Sequence, residues 1–193
     1  KPFSAYESVA AANAAGYALH RAFYNGGSIR PGVFVDKYLC SNNGGIASSI
    51  KGGVPLSSNS ANNPFSGLNG APSNNYAGAI AAAKTRGSSF FCNSVFIFKA
   101  LALLSLAHGS ASTSTAFNAW YSSGSTNFPK GCNNNALGDV NDAALSFASS
   151  GYSNGSKTGS ANFPARTAHN GQNCGVMDLN GCMWEITPGL TMD

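Results

Sequence analysis

Gly151-Tyr152-Ser153-Asn154-Gly155 spells the G-x-S-x-G pattern of a serine nucleophile elbow. That chemistry needs a strand before the serine and a helix after it, because the strained turn between them presents the hydroxyl to its base. Here the flanks are Ser149-Ser150 and Ser156-Lys157-Thr158-Gly159, which read as loop, and 27 Ser and 23 Gly in the chain make a chance match expected. Three histidines could serve as a base. His20 and His108 fall late in helical stretches. A partial positive charge is favoured there, so capping is the plainer reading. His169 stands in a turn before Asn170-Gly171. Glu7 and Glu185 are the two glutamates of the chain, and no carboxylate pair recommends itself for general acid–base work. Asp139-Val140-Asn141-Asp142 and Asp178-Leu179-Asn180 offer oxygen ligands without the full spacing of a calcium loop. Turn or helix capping is their expected role, and no cofactor or metal is expected; a structural calcium is the weaker reading.

Cys40, Cys92, Cys132, Cys174 and Cys182 make an odd set with no zinc spacing. Cys40 and Cys92 lie in apolar company and read as small core residues. A disulfide between two of Cys132, Cys174 and Cys182 stays open. The residues best suited to recognition are Trp120, Tyr121, Asn133, Asn134, Asn135 and Tyr152. Tyrosine with amides and hydroxyls makes adaptable polar contacts, and flat rings suit sugars. The alternative is that these rings pin long loops onto the core.

The composition narrows the field. Of the 193 residues only 9% are charged, while 29 Ala, 27 Ser, 23 Gly and 22 Asn together fill more than half the chain. Seven acids and eleven bases exclude a highly charged disordered segment. Twelve Phe, seven Tyr and two Trp suffice for a core, leaving Asn and Ser to supply surface polarity. An uncharged amide-and-hydroxyl surface suits an assembled structural protein better than a metabolic enzyme. The net charge of +4 is scattered, with Lys84 and Arg86 the densest group, so no electrostatic footprint for nucleic acid is present. The apolar stretch 90–107 contains Asn93, Ser94, Lys99 and Ser105, and it reads as a buried helix rather than a membrane span. The sequence opens at Lys1 without the pattern of a secretory signal.

The elements that would position these residues follow from periodicity. Ser4-Ala5-Tyr6-Glu7 has the form of a capping box, leading into an Ala-rich helix that runs through Phe23 and stops at Asn25-Gly26-Gly27. Its Ala and Gly residues predict close packing on a sheet. Residues 31–40 read as a strand. The Ser/Asn/Gly/Pro run 41–75 is far longer than an ordinary connection and is expected to be an extended loop or an assembly arm. A short helix is predicted over 76–85 and a long central one over 88–108, with Phe91, Val95, Phe98, Ala102 and Leu106 on one face. Residues 110–173 read as loops, and the tail 175–187 as strand and turn.

The tail carries a resemblance. Asn170-Gly171-Gln172-Asn173-Cys174-Gly175-Val176-Met177-Asp178-Leu179-Asn180-Gly181-Cys182-Met183-Trp184-Glu185-Ile186 is similar to a signature of the formylglycine-generating-enzyme branch of C-type lectin-like domains, namely Asn, a short spacer, then Gly-Leu-x-Asp-(Met/Leu)-x-Gly-Asn-Val-Trp-Glu-Trp. Phe34-Val35-Asp36-Lys37-Tyr38 resembles that family's early strand, and 88–108 its second helix; the matches cover about 60 residues. Asn170, Gly171, Asp178, Gly181, Trp184 and Glu185 are then structural signature residues: Gly181 for a sharp turn, Trp184 as a buried anchor, Glu185 accepting from loop N–H groups. Cys182 stands where the family has Asn, so a ligand or calcium role tied to that Asn is not carried over. The family also continues past Trp-Glu into strands that hold the enzyme's catalytic cysteines, whereas this sequence stops at Asp193. The expectation is a C-terminally truncated domain or a fold that closes differently, without the enzyme's chemistry.

The expected architecture over 1–193 is one α+β domain of C-type lectin-like fold, two main helices on a small twisted antiparallel sheet with long loops. The low-charge style is similar to versions of this domain in bacteriophage virion proteins. It implies a non-enzymatic tail-tip or fibre domain that binds a host glycan or protein, displayed on the virion after assembly in the host cytoplasm. Its other partners would be virion subunits, in a homo-oligomer such as a trimer, with neither nucleic acid nor membrane insertion. The alternatives are a capsid-decoration or tail-assembly protein and a fragment of a formylglycine-generating-type enzyme.

Overall fold

Helix α1 spans Val9–Ala14, and its cap is Ser8, whose hydroxyl accepts from the Ala11 N–H at 3.1 Å. The helix ends far short of the expected Phe23. Gly16 takes φ +83°, the Gly16 N–H bonds to Asn13 O and the Tyr17 N–H to Ala12 O, both at 2.9 Å. This is a Schellman close, which glycine enters without a Cβ penalty. None of α1 is buried, so the expected packing of its Ala face on a sheet is not found. Ser4 of the proposed capping box lies outside the residues that the computed structural model describes, which are 6–111, 132–133, 136–137, 146–152, 155–161, 168, 174–179 and 185–189.

A 3-10 turn, Arg21–Phe23, leads into the two-residue strands β1 (Tyr24–Asn25) and β2 (Ser28–Ile29). Gly26 and Gly27 between them have φ +56° and +81°. The sequence expected to end a helix instead makes a two-residue hairpin turn, which needs positive φ at both central positions. The predicted strand over 31–40 forms only at its end. Its backbone groups go elsewhere: the Tyr38 N–H donates to Ser49 Oγ at 3.0 Å, and Lys37 O accepts from the Met177 N–H at 2.8 Å. Strand β3 (Cys40–Asn43) then pairs antiparallel with β4 (Ile46–Ser49), Cys40 opposite Ser49.

The 41–75 run holds this hairpin and a second 3-10 turn, Phe65–Gly67, and it puts Ala47, Phe65 and Leu68 into the core of its own chain. Asparagine makes that possible. Asn42 Nδ2 donates to Gly67 O at 3.0 Å, Asn63 Nδ2 to Val54 O at 2.7 Å, and Asn74 Oδ1 accepts from the Ser66 N–H. Backbone groups without a ladder partner are satisfied by side-chain amides.

Helix α2, Tyr76–Lys84, is capped by Asn75, whose Oδ1 accepts from the Gly78 N–H at 2.9 Å. Its small-residue face, Gly78, Ala79 and Ala82, is the one that packs closely. Ala79 and Ala82 join Ala47, Phe65 and Leu68 in the core, with Cys40, Leu56, Cys92 and Ile186 packed around them. Helix α3, Val95–Ala111, starts at Ser94, whose hydroxyl accepts from the Ile97 N–H. Its buried stripe is Ile97, Leu101 and Ser105, each four residues on, rather than the expected Phe91-to-Leu106 face. Leu103, Leu104 and Leu106 face outward, so α3 is amphipathic only in part and not the fully central helix expected. Among the described residues no helix is long and apolar enough to cross a membrane.

A third hairpin pairs β5 (Cys132–Asn133) with β6 (Ala136–Leu137). The architecture is thus mixed α/β. Among the described residues the strands form separate two-stranded antiparallel hairpins instead of the single small sheet expected.

Candidate functional site

Three segments distant in sequence converge on one cleft of about 1190 Å³. They are the extended chain around 30–40, the end of α2 with the start of α3, and the tail residues Val176, Met177, Leu179, Glu185 and Ile186. The tail is held by backbone bonds that its own residues set up. Asp178 sits at φ +61°, almost fully buried, and its Oδ2 accepts from the Gly159 N–H at 2.6 Å. Aspartate tolerates this left-handed conformation better than most residues. The 157–159 turn is in turn fixed to the hairpin region: Thr158 is fully buried, its N–H donates to Gly53 O and its hydroxyl to Ile50 O. Glu185 follows on the tail, lining the cleft. Burial first, and then the nearby Asp178 carboxylate, push its carboxyl up to about 7.

The opposite wall is built on an ion pair. Arg86 Nη1 donates to Asp36 Oδ2 at 2.6 Å, and the guanidinium lies 4.4 Å above the Phe90 ring. Held by a carboxylate on one side and a ring on the other, Arg86 loses little further freedom when it binds something else. Lys84 Nζ donates to Ser88 O at 2.7 Å, and Arg21 stands 5.9 Å over the Tyr24 ring. Arg86–Asp36 is the one ion pair between described residues. Phe34 has no cover at all, with its side chain wholly exposed at the cleft.

Cys40 and Cys92 flank the core as expected and are free thiols. Cys40 Sγ approaches Asp36 Oδ2 at 3.7 Å, and burial, reinforced by that carboxylate, raises its pKa to about 11. At pH 8 about one Cys40 in a thousand is then thiolate, the reactive form. Cys174 is exposed. A maleimide pulse at pH 8 followed by peptide mass mapping is expected to modify Cys174 well before Cys40; equal labelling would contradict the burial described.

No protein-family model matches this chain, and no curated protein matches it.

The residues singled out in the sequence distribute unevenly. Asp178 and Glu185 come together beside the cleft. Asn133 lies in β5. Tyr152 is half-buried in a turn closed by the Ser149–Ser156 bridge. That turn follows a single bridge residue rather than a strand, and Ser150 Oγ donates to Gly155 O across it at 2.6 Å. Among the described residues the flanks therefore supply neither the strand before nor the helix after that a nucleophile elbow needs. Ser153, Trp120, Tyr121, Asn134, Asn135, Asn170, Gly171, Gly181, Trp184, His169 and the 139–142 acidic stretch lie outside the described residues. His20 does cap, but at a helix start: its Nδ1 accepts from the Ala22 N–H at 3.2 Å. That bond needs the unprotonated nitrogen rather than a positive charge. His108 lies within α3.

Sequence reasoning missed Arg86, Asp36, Arg21, Arg30 and Phe34 as a group. The sequence offered little signal for it, since Asp36 has Lys37 beside it and stays partly exposed.

Proposed function

We propose that this chain is a bacteriophage virion domain of C-type lectin-like architecture that recognises the host surface from the tail tip or a fibre. The observation that carries the reading is the convergence just described. Three segments carry the family resemblance, and described residues of each border one cleft: Phe34, Val35, Asp36 and Tyr38, then Ser94, Phe96 and Ile97 at the start of α3, then Leu179 and Glu185 of the tail. The low charge supports the same reading: Asn and Ser bind their own loops and leave a polar, uncharged exterior that suits weak contacts multiplied by many copies in a homo-oligomer.

A capsid-decoration or tail-assembly role is favoured by a different feature, the outward Leu103, Leu104 and Leu106 of α3, an apolar face of the kind that subunits cover. Immunogold labelling of intact particles with an antibody to this chain separates the two. Label at the distal tail is expected. Label over the capsid would overturn host recognition in favour of decoration.

A further inference from the structure

The cleft is not electrically neutral. Its lining holds Arg21, Arg30, Lys84 and Arg86 against Asp36 and Glu185. Asp36 is spent on Arg86, and Glu185 carries its proton half the time near neutral pH because it is buried. Among the described lining residues three cations therefore face less than one full negative charge, in a chain where only 9% of residues are charged at all. Among the described residues neither Arg21 nor Arg30 has a carboxylate within ion-pair distance. Arg86 spends Nη1 on Asp36 and offers its other N–H groups, fixed in orientation by Phe90. Guanidinium forks match carboxylates two bonds at a time.

The apolar side of the cleft is equally specific. Phe34 is fully exposed, and Phe90 and Phe91, which line the same cleft, are partly so. An uncovered phenylalanine in a cleft that also holds arginines is a surface for something flat, apolar on one face and anionic on its edge. A pyranose carboxylate has that form: its C–H face stacks on a ring while its carboxylate and hydroxyls meet charged and amide donors. The volume of the cleft suits several sugar units rather than one small anion. Extended peptides bind chiefly by adding to a strand edge, whereas the chain from Pro31 to Leu39 along this cleft is not in a strand.

We infer that this cleft, with Arg21, Arg30 and Arg86 as the carboxylate-reading groups and Phe34 as the stacking platform, binds a carboxylated oligosaccharide. The assignment rests on the host-recognition reading for its biological sense, but its chemistry is independent of where the domain sits on the particle.

Titration calorimetry with tetragalacturonate tests it on the full chain. Binding is expected, weakening as salt rises because it depends on charge. The methyl-esterified tetramer, with the same sugar faces and no charge, is expected to bind about tenfold or more weakly. Arg21→Gln with Arg30→Gln is expected to weaken tetragalacturonate binding by about tenfold or more and to weaken the ester, which keeps only hydroxyl and carbonyl contacts, far less. Phe34→Ala, at a position with no packing to lose, is expected to weaken both ligands several-fold. Equal affinity for acid and ester, insensitivity to the arginine variants, or no binding would overturn the proposal. So would equally tight binding of tetraglutamate, which would make the cleft a site for acidic polymers in general. Tail labelling without saccharide binding would sink this inference and leave the host-recognition reading standing; saccharide binding with capsid labelling would do the reverse.

Discussion

Replacing Gly78 by alanine is expected to destabilise the protein by about 3 kcal/mol, the opposite sign to helix propensity. In an unconstrained helix the change would stabilise by about 1 kcal/mol, because glycine loses the most backbone entropy on folding. Gly78 is buried in the first turn of α2, and a Cβ there would run into the backbone of Ser73, whose nitrogen would lie only 2.9 Å away. Ser73 cannot step aside cheaply. Its carbonyl accepts from the Asn75 N–H at 2.9 Å, and Asn75 in turn caps Gly78, so the approach and the cap are one structure. The alanine must push α2 off the hairpin or break the cap. Ala81→Gly, on the exposed side of the same helix, is the control and costs only the propensity difference of about 1 kcal/mol. Thermal unfolding reads both, with a drop of about 6–12 °C expected for Gly78→Ala in a chain of this size. A Gly78→Ala protein as stable as the parent would mean that α2 does not sit against Ser73 as described.

The second large effect is a fall in stability as pH rises. Glu185 titrates at about 7 when folded, against 4.5 for an ordinary glutamate, because burial and then the Asp178 carboxylate penalise its charged form. The folded state thus holds the proton more tightly than the unfolded state. Below pH 4.5 both states are protonated and no penalty applies. Between 4.5 and 7 the unfolded chain ionises first and stability declines, and above 7 the full penalty is present. The difference corresponds to about 3 kcal/mol. Glu185→Gln is expected to remove this decline, so that the variant gains about 6–12 °C on the parent at pH 8 and nearly nothing at pH 4.5. Asp178→Asn is the finer probe. Asparagine accepts the left-handed φ of Asp178 and can still receive the Gly159 N–H, while losing the charge that faces Glu185. The decline should then shift toward lower pH and shrink. A parent and a Glu185→Gln variant with superimposable pH profiles would falsify the placement of Glu185.

Some elements were legible because one local rule decided them. Asn75 before an Ala-rich run, with Thr85 after it, marks α2 to within a residue of its observed end. The apolar run marks α3, but the expected start at Ser88 falls seven residues before the observed one at Val95. Cys40 and Cys92 were recognisable as core neighbours by the residues around them. The failures have a common cause. Gly16 and the Gly26-Gly27 pair each admit more than one conformation, and whether such a glycine continues a helix, closes it or turns a hairpin depends on bonds a few residues away. Local pattern could not decide between them.

The candidate site divides in the same way. Sequence alone determined the inventory: few charges, abundant amides to satisfy irregular backbone, an Asp-and-Glu tail signature, and an aromatic supply large enough for a core. It could not say that Arg86 would reach Asp36, because the two stand fifty positions apart and no local spacing links them. Nor could it say that Phe34, in a run that alternates like a strand, would be left bare. Strand pairing of 31–39 was refused by long-range partners, Ser49 and Met177, whose hydrogen bonds drew the backbone out of any ladder. Periodicity reports what a segment could bury. Which surface meets it, and so which charge, ring and thiol share a cleft, is settled only when distant segments compete for the same backbone groups and the same core.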